Sequence, residues 1–253
     1  MIDKKIFTAI ARGTAALGIG LMACNTAYAQ ESEEAVEAAP AADFWRLNVG
    51  VRAWSNDWTT WVDEQVTPNT VADADGKELA LIPQISLQLG KFQVASSYMT
   101  STEYTFNGLG GATADRDELD VNVGYTIVPG LTVSLGYKSI VQEFNGAAEF
   151  KYTGPTIGFS GSVPLANNFG VYASFAYGAL DAEFANGSEH DAKYVLAEPG
   201  VSYVIPTGNA GGLDAIVLTL GYRFQSVETE QDGGFDSLRD ITQGASFGVG
   251  ASF

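Results

Sequence analysis

Strict alternation of apolar and polar residues dominates the chain from about residue 44 to its last residue. In "LDVNVGYTI", Leu119, Val121, Val123, Tyr125 and Ile127 alternate with polar or small residues, and "LTVSLGYK" and "IVLTLGYRF" repeat the pattern. A period of two puts successive side chains on opposite faces of a β-strand. No sustained helical period and no apolar run of membrane-helix length interrupts the pattern. The sequence therefore predicts an all-β protein.

The alternating segments number about ten, and each has roughly ten or more residues, the length that a tilted strand needs to cross a bilayer. An even number of such strands, each paired with its neighbours, can close into a barrel. The sequence predicts a transmembrane antiparallel up-and-down β-barrel of ten strands, with eight as the alternative count. The segments lie near residues 44–56, 79–90, 91–105, 117–128, 131–144, 150–164, 168–184, 193–206, 213–227 and 240–253.

The connections between these segments alternate between two kinds. One kind is tight: "LGK", "VPGL", "PLANN" and "PTGNAGG". The other kind is mostly longer and acidic, near residues 57–78, 106–116, 145–149, 185–192 and 228–239. Short turns at one rim and longer loops at the other are typical of outer-membrane barrels. Both termini of the barrel segment are therefore expected at the short-turn, periplasmic rim.

The two faces of the strands differ in composition. One face carries Leu, Val, Ile, Phe and Tyr, whereas the other carries mostly Gly, Ser, Thr, Asn and Ala. We expect the apolar face to contact lipid and the small polar face to fill a narrow lumen. A girdle of aromatic side chains is expected at the periplasmic rim, from Trp45, Phe92, Phe169, Tyr203 and Phe253. A second, outer girdle is expected from Trp54, Trp58, Trp61, Tyr104 and Phe106, with a patch for sugar or a protein partner as the alternative.

The first 43 residues differ from the barrel in composition. Residues 1–29 have a basic start, a short apolar run and an A-x-A site ending at Ala29, which is the pattern of a cleaved signal peptide. The stretch "LMAC" before this site loosely resembles a lipobox, so lipidation of Cys24 is the alternative. Residues 30–43 are acidic and Ala-rich and are predicted to be a disordered linker, which leaves residues 44–253 as the barrel.

Charge and cysteine content exclude several classes of function. The formal net charge is −17, which disfavours nucleic acid as a partner because phosphates would repel the chain. Cys24, inside the predicted signal, is the single cysteine, so no disulfide or cysteine-based metal site is expected. The sequence predicts neither a metal site nor a cofactor.

The alternation also predicts which charged side chains face the lumen. Charges inside a membrane barrel are costly unless they are paired or hydrated, so an ionic network is expected. Such a network either plugs the lumen or lines a narrow conduit for ions or small solutes. The residues predicted to form it are Arg46, Arg52, Glu118, Asp120, Lys138, Glu198 and Arg223.

The end of the chain, "SFGVGASF", resembles the C-terminal signal of bacterial outer-membrane proteins. Ser246, Gly248, Ala251 and Phe253 occupy the positions of its polar, Gly, apolar and aromatic members. The resemblance implies a Gram-negative outer-membrane location and recognition by the barrel-assembly machinery. It also implies outer-membrane lipid and lipopolysaccharide as surroundings.

A weaker resemblance links the chain to the omptins, which are ten-stranded outer-membrane proteases with an Asp-x-His pair on the corresponding loop. The histidine here is His190 in "GSEHDAK", with Ser188 where the omptins have Asp. The resemblance implies a general-base site at the barrel mouth. Its carboxylates would be Glu189 and Asp191 beside the histidine, and Asp115 with Asp117 or Asp73 with Asp75 across the mouth.

Together these observations favour a non-enzymatic, integral outer-membrane protein. Its expected role is structural, or interaction at the cell surface, or narrow porin-like passage of ions or small solutes. The alternative is an omptin-like protease or another surface hydrolase centred on His190.

Overall fold

The structure is a computed structural model that describes residues 45–63, 70–73, 77–106, 110–146, 148–229 and 237–253. The predicted signal peptide and acidic linker lie outside these residues. The described residues form eleven strands. They are β1 (Trp45–Asp63), β2 (Thr70–Asp73), β3 (Glu78–Leu89), β4 (Phe92–Phe106), β5 (Ala112–Val128), β6 (Leu131–Phe144), β7 (Ala148–Pro164), β8 (Phe169–Glu183), β9 (Glu189–Ala210), β10 (Leu213–Thr229) and β11 (Ser237–Ser252).

The strands close into one antiparallel ring. Each strand from β3 to β11 pairs with the next along the chain, and β1 pairs with β3 on one edge and with β11 on the other. The short strand β2 pairs with the outer end of β1, on the edge that β3 uses lower down. The wall therefore has ten positions, and the predicted all-β, ten-stranded up-and-down barrel is confirmed.

Several strands run farther toward the loop end than the sequence pattern predicted. β9 has 22 residues and β1 has 19. Residues 57–63, 112–116, 189–192 and 237–239 belong to strands, so the predicted loop boundaries were wrong there. His190 consequently lies in β9 rather than in a loop.

An apolar belt surrounds the lower part of the barrel, nearest the short turns. From Leu79 to Leu89 on β3 it spans ten residue steps, or roughly 25 Å of height at ~3.3 Å per residue and a ~40° tilt. Exposed aromatics flank the belt, with Trp45 and Phe92 at the lower edge and Tyr98 and Tyr137 at the upper edge. All ten wall strands contribute to the belt, through Val49, Val51, Leu81, Ile85, Leu87, Val94, Val121, Val123, Leu135, Ile157, Phe159, Val171, Val201, Leu220, Phe247 and Val249.

Above the belt the polarity of the two faces is reversed. The inward side chains become large and apolar, forming a cluster that includes Ile140, Tyr152, Leu180 and Leu196. Charged side chains occupy the outward positions of the same strands, namely Asp115, Glu143, Glu149, Lys151, Asp181, Glu183, Glu189, Asp191 and Lys193. The upper half thus has the arrangement of a water-soluble barrel, with an apolar core and a charged exterior.

The reversal corrects the predicted outer girdle. Trp54, Trp58, Tyr104 and Phe106 are fully buried inside the barrel, because their strands continue above the belt where inward positions are apolar. Four exposed tyrosines occupy the upper edge of the belt instead, Tyr98, Tyr137, Tyr177 and Tyr222. Among the described residues, no helix has the length and apolar character needed to cross a bilayer.

The ladder between β3 and β4 is the shortest in the wall. It pairs residues 84–89 with residues 92–97 and stops there, although both strands continue. The pairing ends next to Pro83, which has no amide hydrogen to donate. On the partner strand, the ladder of β4 with β5 has a register shift between Met99 and Thr102. A proline and a bulge together leave an upper seam between these two strands.

Candidate functional site

A buried carboxylate, Glu198 on β9, is the centre of the lower of two charge clusters inside the barrel. Its Oε2 atom accepts hydrogen bonds from Nη1 of Arg52 at 2.7 Å and from Nη1 of Arg223 at 3.3 Å. Its Oε1 atom accepts bonds from the hydroxyls of Tyr172 at 3.1 Å and Ser246 at 3.2 Å. We call Arg52, Tyr172, Glu198, Arg223 and Ser246 the lower cluster. Four donors satisfy its one carboxylate.

Two inward glycines allow Tyr172 to reach Glu198. A Cβ atom at Gly200 would collide with the Tyr172 ring, and one at Gly221 would collide with its hydroxyl. Tyr172 starts from β8, so its ring must cross the β9 and β10 backbones to reach the centre. The lower cluster therefore requires glycine at both positions, because a larger residue would displace Tyr172.

A second carboxylate, Glu118 on β5, organises the upper cluster. Lys138 donates to its Oε2 atom at 2.6 Å, and Arg116 Nε and Gln225 Nε2 donate to Oε1 at 2.9 Å and 2.6 Å. Lys138 also pairs with Asp120 at 2.8 Å. We call Arg116, Glu118, Asp120, Lys138 and Gln225 the upper cluster. Every carboxylate in it has a cationic partner.

The clusters join into one network of balanced charge. Arg223 Nη2 donates to Gln225 Oε1 at 3.4 Å, which connects the lower cluster to the upper. A further buried carboxylate, Asp240, accepts a bond from Gln142 at 2.8 Å. With Asp240 included, the network contains four cations, Arg52, Arg116, Lys138 and Arg223, and four anions, Glu118, Asp120, Glu198 and Asp240.

Aromatic rings cover three of the four cations of the network. The guanidinium carbon of Arg116 lies 5.0 Å from the ring centre of Trp58, and that of Arg223 lies 5.1 Å from Trp54. Lys138 Nζ lies 5.3 Å from the Tyr194 ring. Cation–π contacts of this kind gain strength when they are removed from water, as these are.

A chain of interlocking rings continues upward from Trp58. Trp58 packs edge-on against Tyr104 and Phe106, with ring centres 5.2 Å and 5.0 Å apart. The contacts proceed around the inner wall to His190, whose ring lies 5.1 Å from that of Phe184. We call this set the aromatic cluster: Trp58, Tyr104, Phe106, Phe144, Phe150, Phe184 and His190. It packs the inner wall above the ionic network.

A cavity of about 60 Å³ lies beside the lower cluster. Arg52 and Arg223 line one side of it, and small polar side chains such as Asn122, Thr156 and Ser174 line the rest. Below it, toward the short-turn rim, many buried inward residues are small and polar, including Asn48, Ser86, Ser202, Thr219 and Ser252, but Val204 and Val217 form a small apolar cluster there. The lumen is thus narrow and largely polar below the network and packed with apolar rings above it.

The predicted lumen charges occupy the inward face, but the prediction omitted two members of the network. Arg52, Glu118, Lys138, Glu198 and Arg223 are buried, the Asp120 side chain is 22% exposed, and Arg46 is half-buried near the lower rim. Arg116 was missed because residues 106–116 were assigned to a loop. Asp240 was missed although it has the same strand parity as Thr242 and Ser246, and that parity could have identified it.

The residues of the hydrolase alternative do not form one constellation. His190 faces inward against Phe184, whereas Glu189 and Asp191 on either side are exposed on the outer face. Asp115 is exposed on β5, and Asp117 lies on the same outward face. Of the other predicted pair, Asp73 lies in β2 and Asp75 falls outside the described residues.

The carboxyl of Asp117 lies above the apolar belt, one outward position beyond Leu119. Partial burial raises its pKa, and the nearby carboxylates Glu118 and Glu149 raise the pKa further. Among the described residues, the groups that raise this pKa include no histidine. Within the described part of the chain, no group of three or more His, Asp or Glu side chains is placed to hold a metal ion.

No protein-family model matches this sequence, and no curated protein shows significant sequence similarity to it. Several solved barrel structures are similar in shape. The outer membrane protease OmpT from Escherichia coli is 10% identical with a TM-score of 0.48, covering 86% of this chain and 99% of its own. The translocator domain of the autotransporter NalP from Neisseria meningitidis is 12% identical, with a TM-score of 0.43 and coverage of 98% and 96%. Neisserial surface protein A is 13% identical, with a TM-score of 0.36 and coverage of 79% and 96%.

Proposed function

We propose that this chain is an integral outer-membrane β-barrel protein of the Gram-negative envelope, with a structural or surface-interaction role and no enzymatic activity. The observation that carries the membrane assignment is the apolar belt, which all ten wall strands contribute to. A soluble protein would not expose so large a continuous apolar surface to water. The height of roughly 25 Å is that of the lipid-facing band of outer-membrane barrels.

The reversal of polarity above the belt supports a surface role. A barrel wall that ended at the membrane would need no apolar core above it. Here the strands continue with a charged exterior and a packed interior, so a rigid stub is expected to project into water on the loop side. Lipopolysaccharide and other surface molecules are the partners we propose for this stub, and outer-membrane lipid is the partner of the belt.

The packing of the lumen supports a closed barrel. The ionic network has balanced charge, is buried except for part of Asp120, and is followed by the aromatic cluster. Ions would have to displace buried charge pairs to pass, and buried charges are costly to expose one at a time. We therefore propose that the resting protein does not act as a pore.

Conductance of the purified protein in planar bilayers tests the closed lumen. We expect inserted protein, verified by its heat-dependent gel mobility, to give no discrete current steps. Steps with reproducible charge selectivity would refute closure and favour narrow passage of ions or small solutes. The cavity beside Arg52 and Arg223 supports this second candidate. In that case Arg52→Glu should change the selectivity, because a charge lining the path sets it.

Two further tests address location and chemistry. Fractionation of cells should place the folded protein in the outer membrane, and Phe253→Ala should reduce assembly because the C-terminal aromatic belongs to the proposed assembly signal. The backbone amide of Phe253 donates to the carbonyl of Leu47 at 2.8 Å, and the amide of Leu47 donates to the carbonyl of Phe253 at 3.0 Å. Because these hydrogen bonds are between backbone atoms, the Phe253 side chain can be removed without removing the pairing. Any hydrolytic activity that the purified protein shows should survive His190→Ala; its loss would support the hydrolase alternative.

A further inference from the structure

The guanidinium of Arg52 leaves one edge without a protein partner. Its Nη1 atom pairs with Glu198, but among the described residues neither Nε nor Nη2 has a hydrogen-bond partner. Arg52 is only 4% exposed. Buried donors without a partner are unfavourable, because each loses its bonds to water.

The shape of this edge indicates a class of ligand. Nε–H and the adjacent Nη2–H of a guanidinium are parallel donors, and this pair matches the two oxygens of a carboxylate or phosphate. Arg223 lines the same cavity, is 8% exposed, and also has a buried Nε–H without a partner in the described structure. The two cations that line the cavity therefore carry three buried donors without a protein partner among the described residues.

The local charge favours an anion. The lower cluster has two cations, Arg52 and Arg223, and one carboxylate, Glu198, whose oxygens already accept four hydrogen bonds. One positive charge is therefore not neutralised within this cluster. The carboxylate that lines the cavity is Asp120, which is paired with Lys138 at 2.8 Å.

We propose that the cavity beside the lower cluster is a binding site for a small oxyanion of the carboxylate class, held in bidentate fashion by Nε and Nη2 of Arg52. Its volume of about 60 Å³ limits the ligand to a few heavy atoms. The anion enters from the short-turn rim, where small polar residues line much of the lumen, since aromatic rings pack the opposite end. This site goes beyond the proposed function, because it requires the barrel interior but no particular membrane role.

Formate is a suitable probe because it has the carboxylate shape and the smallest size. The detergent-purified protein is heated at increasing sodium formate, with sodium chloride adjusted to constant ionic strength, and unfolding is followed by tryptophan fluorescence. We expect formate to raise the unfolding midpoint in a saturable way, since a ligand that binds only the folded state stabilises it by mass action. Line broadening of carbon-labelled formate in NMR spectra provides a direct readout of binding.

Two variants test the assignment to Arg52. Arg52→Lys keeps the charge facing Glu198 but removes the paired donors, and should weaken formate at least about tenfold. Ala95→Leu fills the cavity from β4 while leaving Arg52 intact, and should also abolish the formate effect. Arg239→Lys, at the exposed pair with Glu228, is the matched control and should bind formate normally.

Identical midpoints in formate and chloride, with no line broadening, would mean that only water occupies the cavity and would overturn the proposal. Formate binding that survives both Arg52→Lys and Ala95→Leu would overturn it as well. Neither result depends on whether the barrel conducts, so a failure here is distinct from a failure of the proposed function.

Discussion

Replacement of Glu118 by Gln tests whether the lumen is a dry, closed ionic core. Both oxygens of Glu118 are in use, one by Lys138 and the other by Arg116 and Gln225. Gln has nearly the same shape, but it removes the charge and presents an amide NH₂ to a cationic donor. Arg116 then retains Thr242 at 3.0 Å, and Lys138 retains Asp120.

The expected cost is large because both cations are buried. The side chains of Arg116 and Lys138 are 0% exposed, and breaking a buried pair by removing one partner costs about 3–5 kcal/mol. We expect the lower part of that range, because Lys138 keeps Asp120. The folding equilibrium should therefore decrease by roughly a hundredfold or more.

Urea unfolding of the protein in lipid vesicles, followed by tryptophan fluorescence, measures this cost, and an unchanged slope shows that the two states are comparable. Glu228→Gln is the matched control, because Glu228 pairs with Arg239 at 2.6 Å but the two side chains are 39% and 40% exposed. Its cost should be below about 1 kcal/mol. In a Glu118→Gln background, Lys138→Met should cost less than in the wild type, since Lys138 has already lost one of its two carboxylate partners and keeps only Asp120.

An equal cost for Glu118→Gln and Glu228→Gln would refute the reasoning. It would mean that water reaches Glu118 and screens its partners, so that the lumen is a hydrated channel. The closed-barrel proposal would then be wrong, even if no current were measured in the bilayer experiment.

Three further predictions concern other parts of the molecule. Leu135→Arg, in the middle of the belt and 67% exposed, should destabilise the protein in vesicles by about 2–4 kcal/mol, and an unchanged urea midpoint would place the belt outside lipid. Trp58→Ala should cost about 3–5 kcal/mol in the same assay by leaving a cavity in the aromatic cluster, whereas a cost below about 1 kcal/mol would show that the cluster is loosely packed. Amides of residues 78–82 should exchange hydrogen faster than those of residues 85–89, because the β3–β4 ladder covers only the second set; equal protection would contradict the seam.

The resemblance of the C-terminal stretch to an assembly signal has a structural counterpart. Ser246 and Gly248 face the lumen, where Ser246 bonds Glu198 and Gly248 lies opposite Arg52. Phe253 is exposed at the lower rim. Three of the four residues that are expected to direct assembly therefore also occupy defined positions in the closed wall.

The sequence alone was sufficient to predict that the strands form a closed barrel. The period of two recurs in every wall strand of the belt, and a side chain one position along a strand must change faces, so alternation predicts both the strands and their inward residues. Arg52, Lys138, Glu198 and Arg223 were predicted inside because each lies in phase with small polar neighbours. Tight turns alternating with longer loops then determined which rim contains the chain ends.

The tertiary structure decided what the alternation means above the belt. There the inward-facing residues change from polar to apolar within single strands. An interpretation that gives each strand one polar and one apolar face along its whole length therefore assigns the upper halves wrongly. Arg116 and His190 were assigned to loops for this reason, and Trp58 to a lipid-facing girdle. Which charges pair also could not be predicted, because Arg52 and Glu198 are 146 residues apart and meet only when β1 and β11 close the ring. Alternation is a local property of the chain, whereas pairing across a lumen depends on register and closure.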